Sequence, residues 1–399
     1  LAIYNFNEYP YDNYINNIKG RILKPIFRLS LLHADESVRE DITEYLIANS
    51  GTLNINYNQG QRRSLNFTLN NMDGRFTPSI QGLIWINTKF KLELGIETSN
   101  GDKIYKSAGI FVIANPNSIH NNGEKNINIQ CYDKFALLDG TLGGVLDAVY
   151  EVNVNSNVRD ACEYILKLDN GNGLPIDIKD VMFDSMYAHE TTVYRISKSP
   201  NESLGSILIE LAEMLGCDIY YDENGYLNIR SGIEDIANVN KPILWKYTTN
   251  EMEYISSETT YDFSKVKNRV IIIGSNTSSQ AIYRGVAENH NPQSPTRISL
   301  IGTKNLYYED SNIHSTELAQ QRAEYELNKI SILQQTINIS SIYMIHLDVN
   351  NCIKLTDKYY NFEESRFVIQ SISIPLATDS TITITCSNVG SLPYYPSIG

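Results

Sequence analysis

Between residues 21 and 139 apolar and polar positions alternate in short runs separated by turn residues. In "GTLNINYNQGQRRSLNFTL", Leu53, Ile55 and Tyr57 precede a loop, and Leu65, Phe67 and Leu69 follow it. This period of two marks a half-buried antiparallel ribbon. "NNMDGRFTP" comes next, with Asp73-Gly74 for a tight turn and Pro78 to stop the strand. "KFKLELGI", "AGIFVIANP" and "NINIQCYD" read as three further strands, a density that predicts a barrel or sandwich.

From residue 140 to 242 the period lengthens. "SNVRDACEYILKL" sets Val158, Ala161, Cys162, Ile165 and Leu166 on one helical stripe, with Ser156 or Asn157 as N-cap. "NESLGSILIELAEMLG" places Leu204, Ile207, Leu208, Leu211 and Leu215 at helical spacing and ends on Gly216. "CDIYYDENGYLNIR" then predicts a hairpin turned at Asn224-Gly225, making this stretch a compact α+β part.

Strands return from residue 243: "ILWKY", "YISSETTYD", "NRVIIIGS" and "TRISLIG". One helix, 315–330, interrupts them, capped by Ser315, with Leu318, Ala319, Ala323, Leu327 and Ile330 inward. "QQTINISSIYM", "NNCIKLTD", "SRFVIQSISIP" and "STITITCSN" close the chain as strands. The predicted fold class is mainly β with an α+β insertion.

The 399 residues suffice for roughly two to three domains with their own cores. With 42% hydrophobic and 20% charged residues the chain is globular, and no apolar run approaches the ~18 residues that would span a bilayer, so no integral membrane segment is expected. Residues 1–20, rich in Tyr and Asn, lack the pattern of a secretory signal. Thirty-three Lys+Arg against 46 Asp+Glu leave a net charge of −13, with no block of like charge to account for it. An excess of that sign argues against gripping a polyanion and suits a surface that DNA passes without binding. Cys131, Cys162, Cys217, Cys352 and Cys386 are scattered, with no CxxC, and read as buried thiols of a protein made in a reducing cytoplasm.

"YDFSKVKNRVIIIGSN", Tyr261 to Asn276, ends an apolar run on Gly274, as a dinucleotide-binding strand does. The fingerprint, however, needs three glycines at G-x-G-x-x-G and a helix start, and Ser-Asn-Thr-Ser-Ser-Gln supplies neither. The run therefore reads as a buried wall strand with Gly274 as its exit into a turn. His346-Leu-Asp348 and Glu363-Glu364 offer metal or acid/base readings, and "DENG" at Asp222–Gly225 resembles the start of a calcium loop. Each is better explained by a strand or a turn. A glycosidase needs only two carboxylates about 5 to 10 Å apart, which 46 acidic residues satisfy by chance. No catalytic, cofactor-binding or metal residue is assigned, and no cofactor is expected.

The order of these stretches resembles the tail hub proteins of tailed phages, including the T-even baseplate hub and siphophage tail-associated proteins. "SLNFTLNNMDGRFTP", "WINTKFKLELGIE" and "YKSAGIFVIANP" are similar to that family's first barrel. "ESLGSILIELAEMLGCDIYYDENGYLNIR" is similar to its intervening domain. "YDFSKVKNRVIIIGSN", "NPQSPTRISLIGTKNLYYEDSNIHSTELAQQRAEYELNK" and "SRFVIQSISIPLATDSTITIT" are similar to its second barrel and closing strands. The resemblance implies an arm at 1–20, a tail-tube-like β-barrel domain at 21–139, a smaller α+β domain at 140–242, and a second tube-like barrel at 243–399 with its helix and a closing β segment. It implies a structural homotrimer that joins a sixfold tail tube to a threefold tip and lines the DNA passage. Its expected partners are tail tube and distal tail proteins, the tape measure protein, and a tail-tip spike or fibre, with transient passage of DNA without specific binding. Its expected location is the virion tail tip, after synthesis in the host bacterial cytoplasm. Many siphophage members continue into an enzymatic or fibre extension, whereas this sequence stops at "SLPYYPSIG", so cell-wall cleavage and receptor binding would fall to partners. The competing expectation is a virion-associated β-rich carbohydrate-active or cell-wall hydrolase.

Overall fold

A computed structural model describes residues 24–97, 101–171, 173–231, 241–276, 281–310, 313, 315–331 and 335–388. The expected arm at 1–20 and the terminal "SLPYYPSIG" lie outside the described residues. Alternation becomes strand throughout the first part: β1 (Lys24–Leu32), β2 (Val38–Asp41), β3 (Thr52–Asn56), β4 (Arg63–Asn70), β5 (Lys89–Glu97), β6 (Lys103–Asn121) and β7 (Glu124–Asp133). Leu53, Leu65, Phe67 and Leu69 are buried, while the intervening residues face outward or lie half-buried. This is the period-two imprint of a sheet with one covered face.

The middle part holds the short strands β8 (Tyr150–Val152), β9 (Met182–Phe183) and β10 (Ile196–Lys198), then the hairpin β11 (Cys217–Tyr221) and β12 (Leu227–Ser231). Asn157 caps the Val158–Leu166 helix by accepting from Asp160 N at 3.0 Å, and Ser203 caps Leu204–Met214 by accepting from Ser206 N at 3.2 Å. Gly216 follows the second helix at φ +67°, a left-handed position that favours glycine. In the hairpin loop the Asp222 carboxylate accepts from the backbone N–H groups of Asn224 and Tyr226, both at 2.9 Å. "DENG" is thus a turn organised by its own aspartate.

The last part contains β13 (Ile243–Thr248), β14 (Tyr254–Tyr261), β15 (Arg269–Asn276), β16 (Ala281–Glu288), β17 (Asn305–Asp310), β18 (Gln335–Ser341), β19 (Cys352–Asp357), β20 (Phe362–Pro375) and β21 (Ile382–Asn388). Six of them, β13, β14 and β18 to β21, do not form a sheet of their own. A 13-stranded sheet runs β14, β18, β21, β20, β3, β4, β7, β6, β5, β1, β2, with β19 also on β20 and β13 on β19. The joint is β20 against β3, from Ser371 opposite Asn56 to Pro375 opposite Thr52. Leu53, Phe67, Ile129, Ile337, Ile372 and Ile384 accordingly share one apolar core. Where separate cores were expected for the outer parts, the large sheet gives them a shared one, while β15, β16 and β17 hold a smaller core apart from it.

A second departure concerns β15. It pairs only with β16 and β17, in a three-stranded sheet covered by the Thr316–Ile330 helix, instead of forming part of the wall of the large sheet. Val270 and Ile272 are buried against Ala319, Ala323 and Leu327, whereas Ile271 is half-buried. Gly274 lies inside the strand, not at its exit. A Cβ there would sit 2.4 Å from the Ile313 carbonyl oxygen, and one on Gly285 would sit 2.1 Å from that of Ala319. Both glycines let backbone press on the sheet. Leu318, expected inward, is 49% exposed. "TRISLIG", expected as a strand, contains a single helical turn, Ile298–Ile301, ended by Gly302 at φ +74°. Buried Asn268 shapes this region, donating to the carbonyls of Thr296 (3.0 Å) and Gly302 (2.7 Å) and accepting from Lys304 N (2.7 Å). Those bonds hold the chain in a loop where apolar alternation alone reads as strand.

Candidate functional site

The residues singled out from the sequence do not converge. Half-buried His346 packs against Trp245, ring centres 5.2 Å apart and planes tilted by 59°, and desolvation, helped by the Lys106 charge, pushes its pKa down to about 3. Asp348 pairs with Arg63. Glu364, at φ +47°, bonds Lys354 at 2.6 Å on the surface, and Glu363 is exposed beside it. Among the described residues no group of three or more His, Cys, Asp or Glu is arranged to hold a metal ion. A cleft of about 390 Å³ is lined by Thr249, Tyr254, Ser257, Asp357 and Tyr360. The Asp357 carboxylate is spent on internal bonds there, accepting from Tyr254 Oη (2.5 Å), Ser257 Oγ (3.3 Å) and Tyr359 N (2.8 Å). The five cysteines are free and buried, and burial raises their thiol pKa values, that of Cys217 to about 12.

Buried charge gathers instead where the α+β part meets the large sheet. Asp133, at the end of β7, accepts from the backbone N–H groups of Arg62 (2.8 Å), Arg63 (2.7 Å) and Phe135 (3.0 Å). Arg62 pairs with Asp218 at 3.1 Å and stacks over the Tyr220 ring at 3.8 Å. Tyr57 Oη donates to the same carboxylate at 2.5 Å and Gln59 Nε2 at 3.0 Å, while Gly60 N donates to the Ile219 carbonyl at 2.8 Å. Arg63 donates to the Tyr221 carbonyl at 3.0 Å as well as pairing with Asp348, so one guanidinium touches all three parts of the chain.

A second group centres on Glu36, in the turn between β1 and β2, whose side chain is 3% exposed. It receives Lys89 and Lys134 at 2.8 Å and Lys179 at 2.9 Å. Lys134 also reaches Asp177 at 2.7 Å, and the other Asp177 oxygen accepts from Tyr221 Oη at 2.7 Å. Burial pushes the Glu36 carboxyl up, but the ammonium groups of Lys134 and Lys89 outweigh it and hold the pKa at about 2.

The sequence carried two signals for this seam. Arg63 is in phase with Leu65, Phe67 and Leu69, so alternation alone puts a guanidinium on the buried face and calls for a buried partner. The acidic excess is also localised, contrary to expectation: residues 140–242 hold 7 Lys+Arg and 17 Asp+Glu, a net of −10.

With this geometry in place, comparison with solved structures identifies the class of fold. The tail protein from Neisseria meningitidis MC58 superposes with a TM-score of 0.63 at 12% identity, over 92% of this chain and 98% of that one. The 43 kDa tail protein of prophage MuSo2 from Shewanella oneidensis gives 0.60 at 12%, over 92% and 99%. The prophage tail protein gp18 from Listeria monocytogenes EGD-e gives 0.53 at 11%, over 90% and 94%. The chain has the fold of phage tail proteins from nearly end to end, as the resemblance to tail and baseplate hubs implied. Residues 293–395 match a domain of unknown function, DUF5048. No curated protein matches at the level of sequence.

Proposed function

We propose that this chain is a non-enzymatic structural protein of a phage-type tail. In this reading it is a homotrimeric hub, joining a sixfold tube to a threefold tip and lining the path of DNA in the virion after synthesis in the bacterial cytoplasm. The observation that carries the reading is the full-length match to three tail proteins, which covers all three parts of the chain and not one recurrent domain. Tail tube and distal tail proteins and the tape measure protein would adjoin it on one side, and a spike or fibre on the other. The chemistry of the site agrees, since its buried carboxylates and cations are consumed in pairing with one another and hold parts of the chain together.

The test is a particle reconstruction with the purified chain sized in solution. Three copies around the tail axis at the tube end are expected. A peripheral location, or peptidoglycan turnover abolished by neutralising one or two of its carboxylates, would overturn the proposal.

A further inference from the structure

We infer that residues 135–231 form a unit docked on the large sheet in a charge-set orientation, which Glu36 and Asp218 hold and from which the unit is released as one body.

The apolar cluster of the large sheet and that of the α+β part are separate, and Phe135 and Leu138, just past the end of β7, already belong to the second. What lies between is mostly polar: the Asp218 group with Arg62, Tyr57 and Gln59, the Glu36 group with Lys134 and Lys179, and Ser107 Oγ donating to the Glu223 carbonyl at 2.6 Å, with apolar contact added where the Phe135 ring lies on Gly60 and Ile110 on Gly225. The chain crosses this seam at Asp133-Lys134, each of which is buried and bonded across or along it. An apolar interface is non-directional and, when large, holds two bodies as one, whereas a polar one between domains permits relative motion. Ion pairs at such a seam also fix register, because a shifted orientation strands charge away from water. Glu36 shows this most sharply, since without it Lys134 keeps Asp177 and Lys179 keeps the Asn224 carbonyl, but Lys89 and Lys179 lose their ion pair with Glu36.

Hydrogen exchange on the full chain tests the inference with Glu36→Gln, Asp218→Asn and the double variant. In the double variant, peptides reporting Gly60 and Ile219, whose N–H groups bond across the seam, are expected to exchange at least about 100-fold faster, the scale on which an orphaned buried charge acts. Peptides from β4, β7 and the Leu204–Met214 helix should change less than about threefold. Equal acceleration everywhere, or none at the seam, overturns the inference. The wild-type chain gives a second reading that does not depend on the variants folding. In rising urea the Leu204–Met214 helix and β4 are expected to follow different exchange isotherms, and a single shared isotherm would mean one cooperative block.

Discussion

Replacing Arg63 with Met removes one charge from the place where all three parts of the chain meet, while keeping an unbranched apolar stem. The guanidinium is 2% exposed, donates to the Tyr221 carbonyl at 3.0 Å and pairs with Asp348, whose side chain is 20% exposed. Removing one member of a buried pair costs about 3–5 kcal/mol, because the other is left buried and uncompensated. Asp348 keeps a bond from Val349 N at 2.8 Å and is reached by water, so the lower end, about 3 kcal/mol, applies here. For 399 residues the unfolding entropy is about 0.84 kcal/mol/K, so Tm should fall by about 4 °C. Arg28→Met is the control: Arg28 pairs with Glu93 at 3.2 Å but is 41% exposed, and its loss should cost under about 1 kcal/mol, near 1 °C. Scanning fluorimetry on both variants, followed by Asp348→Asn and the double variant, separates the pair from its surroundings. A Tm for Arg63→Met no lower than that of Arg28→Met would refute the claim that this arginine joins the three parts.

Two further outcomes follow from the geometry. The His346 pKa is about 3 when folded against 6.5 for the free group, so the unfolded chain takes up the proton first and stability is lost as pH falls below 6.5 toward 3. By pH 4.5 this amounts to about 2 kcal/mol, less than the full two-unit value because the ring is half-buried, and urea melts of His346→Leu against wild type should show their stability difference shifting by that amount between pH 7 and 4.5; parallel curves would disprove the assignment. In β15, Ile272→Asp places a carboxylate under the Thr316–Ile330 helix and should open that lobe to limited proteolysis, while half-buried Ile271→Asp should leave it resistant, and equal cleavage of the two would contradict the facing assigned to this strand.

Much of this fold was legible because its regularities are local. Half-buried strands such as β3 and β4 carry alternation in their own residues, and the two helices of the α+β part announce themselves through the spacing of their apolar residues, Asn157 and Gly216, while the Ser203 cap went unread. Pairing is a different kind of information. Nothing within "SISIP" states that it will lie against "TLNIN" some three hundred residues earlier, so the joint of β20 with β3 was invisible although both strands were recognised. β15 was misplaced for a related reason: "RVIIIG" is equally apolar whether it faces a barrel interior or a helix, and only the Ile313 and Ala319 backbone against Gly274 and Gly285 distinguishes the two. The seam was half legible. Arg63 in core phase demanded a buried anion, but Asp348 is its partner only through tertiary folding.

The distribution of charge changes what a conducting role would require. Residues 21–139 carry 13 Lys+Arg and 12 Asp+Glu, residues 243–399 carry 12 and 15, and so the two parts that make the large sheet are close to neutral. A near-neutral wall neither concentrates nor expels a polyanion, and long-range repulsion must come from the α+β part with its net −10. If that part faces the lumen of the proposed hub, DNA meets an acidic collar and passage is favoured by weak contact. If it faces outward, the same carboxylates are placed to meet basic partners, and the lumen relies on neutral polar strands alone. The polar seam beneath the α+β part connects the two cases, since a unit held by ion pairs can adopt either orientation only by exchanging those pairs as a set. In the proposed hub, the orientation of residues 135–231 would therefore be the structural variable that sets the electrostatics of the DNA path.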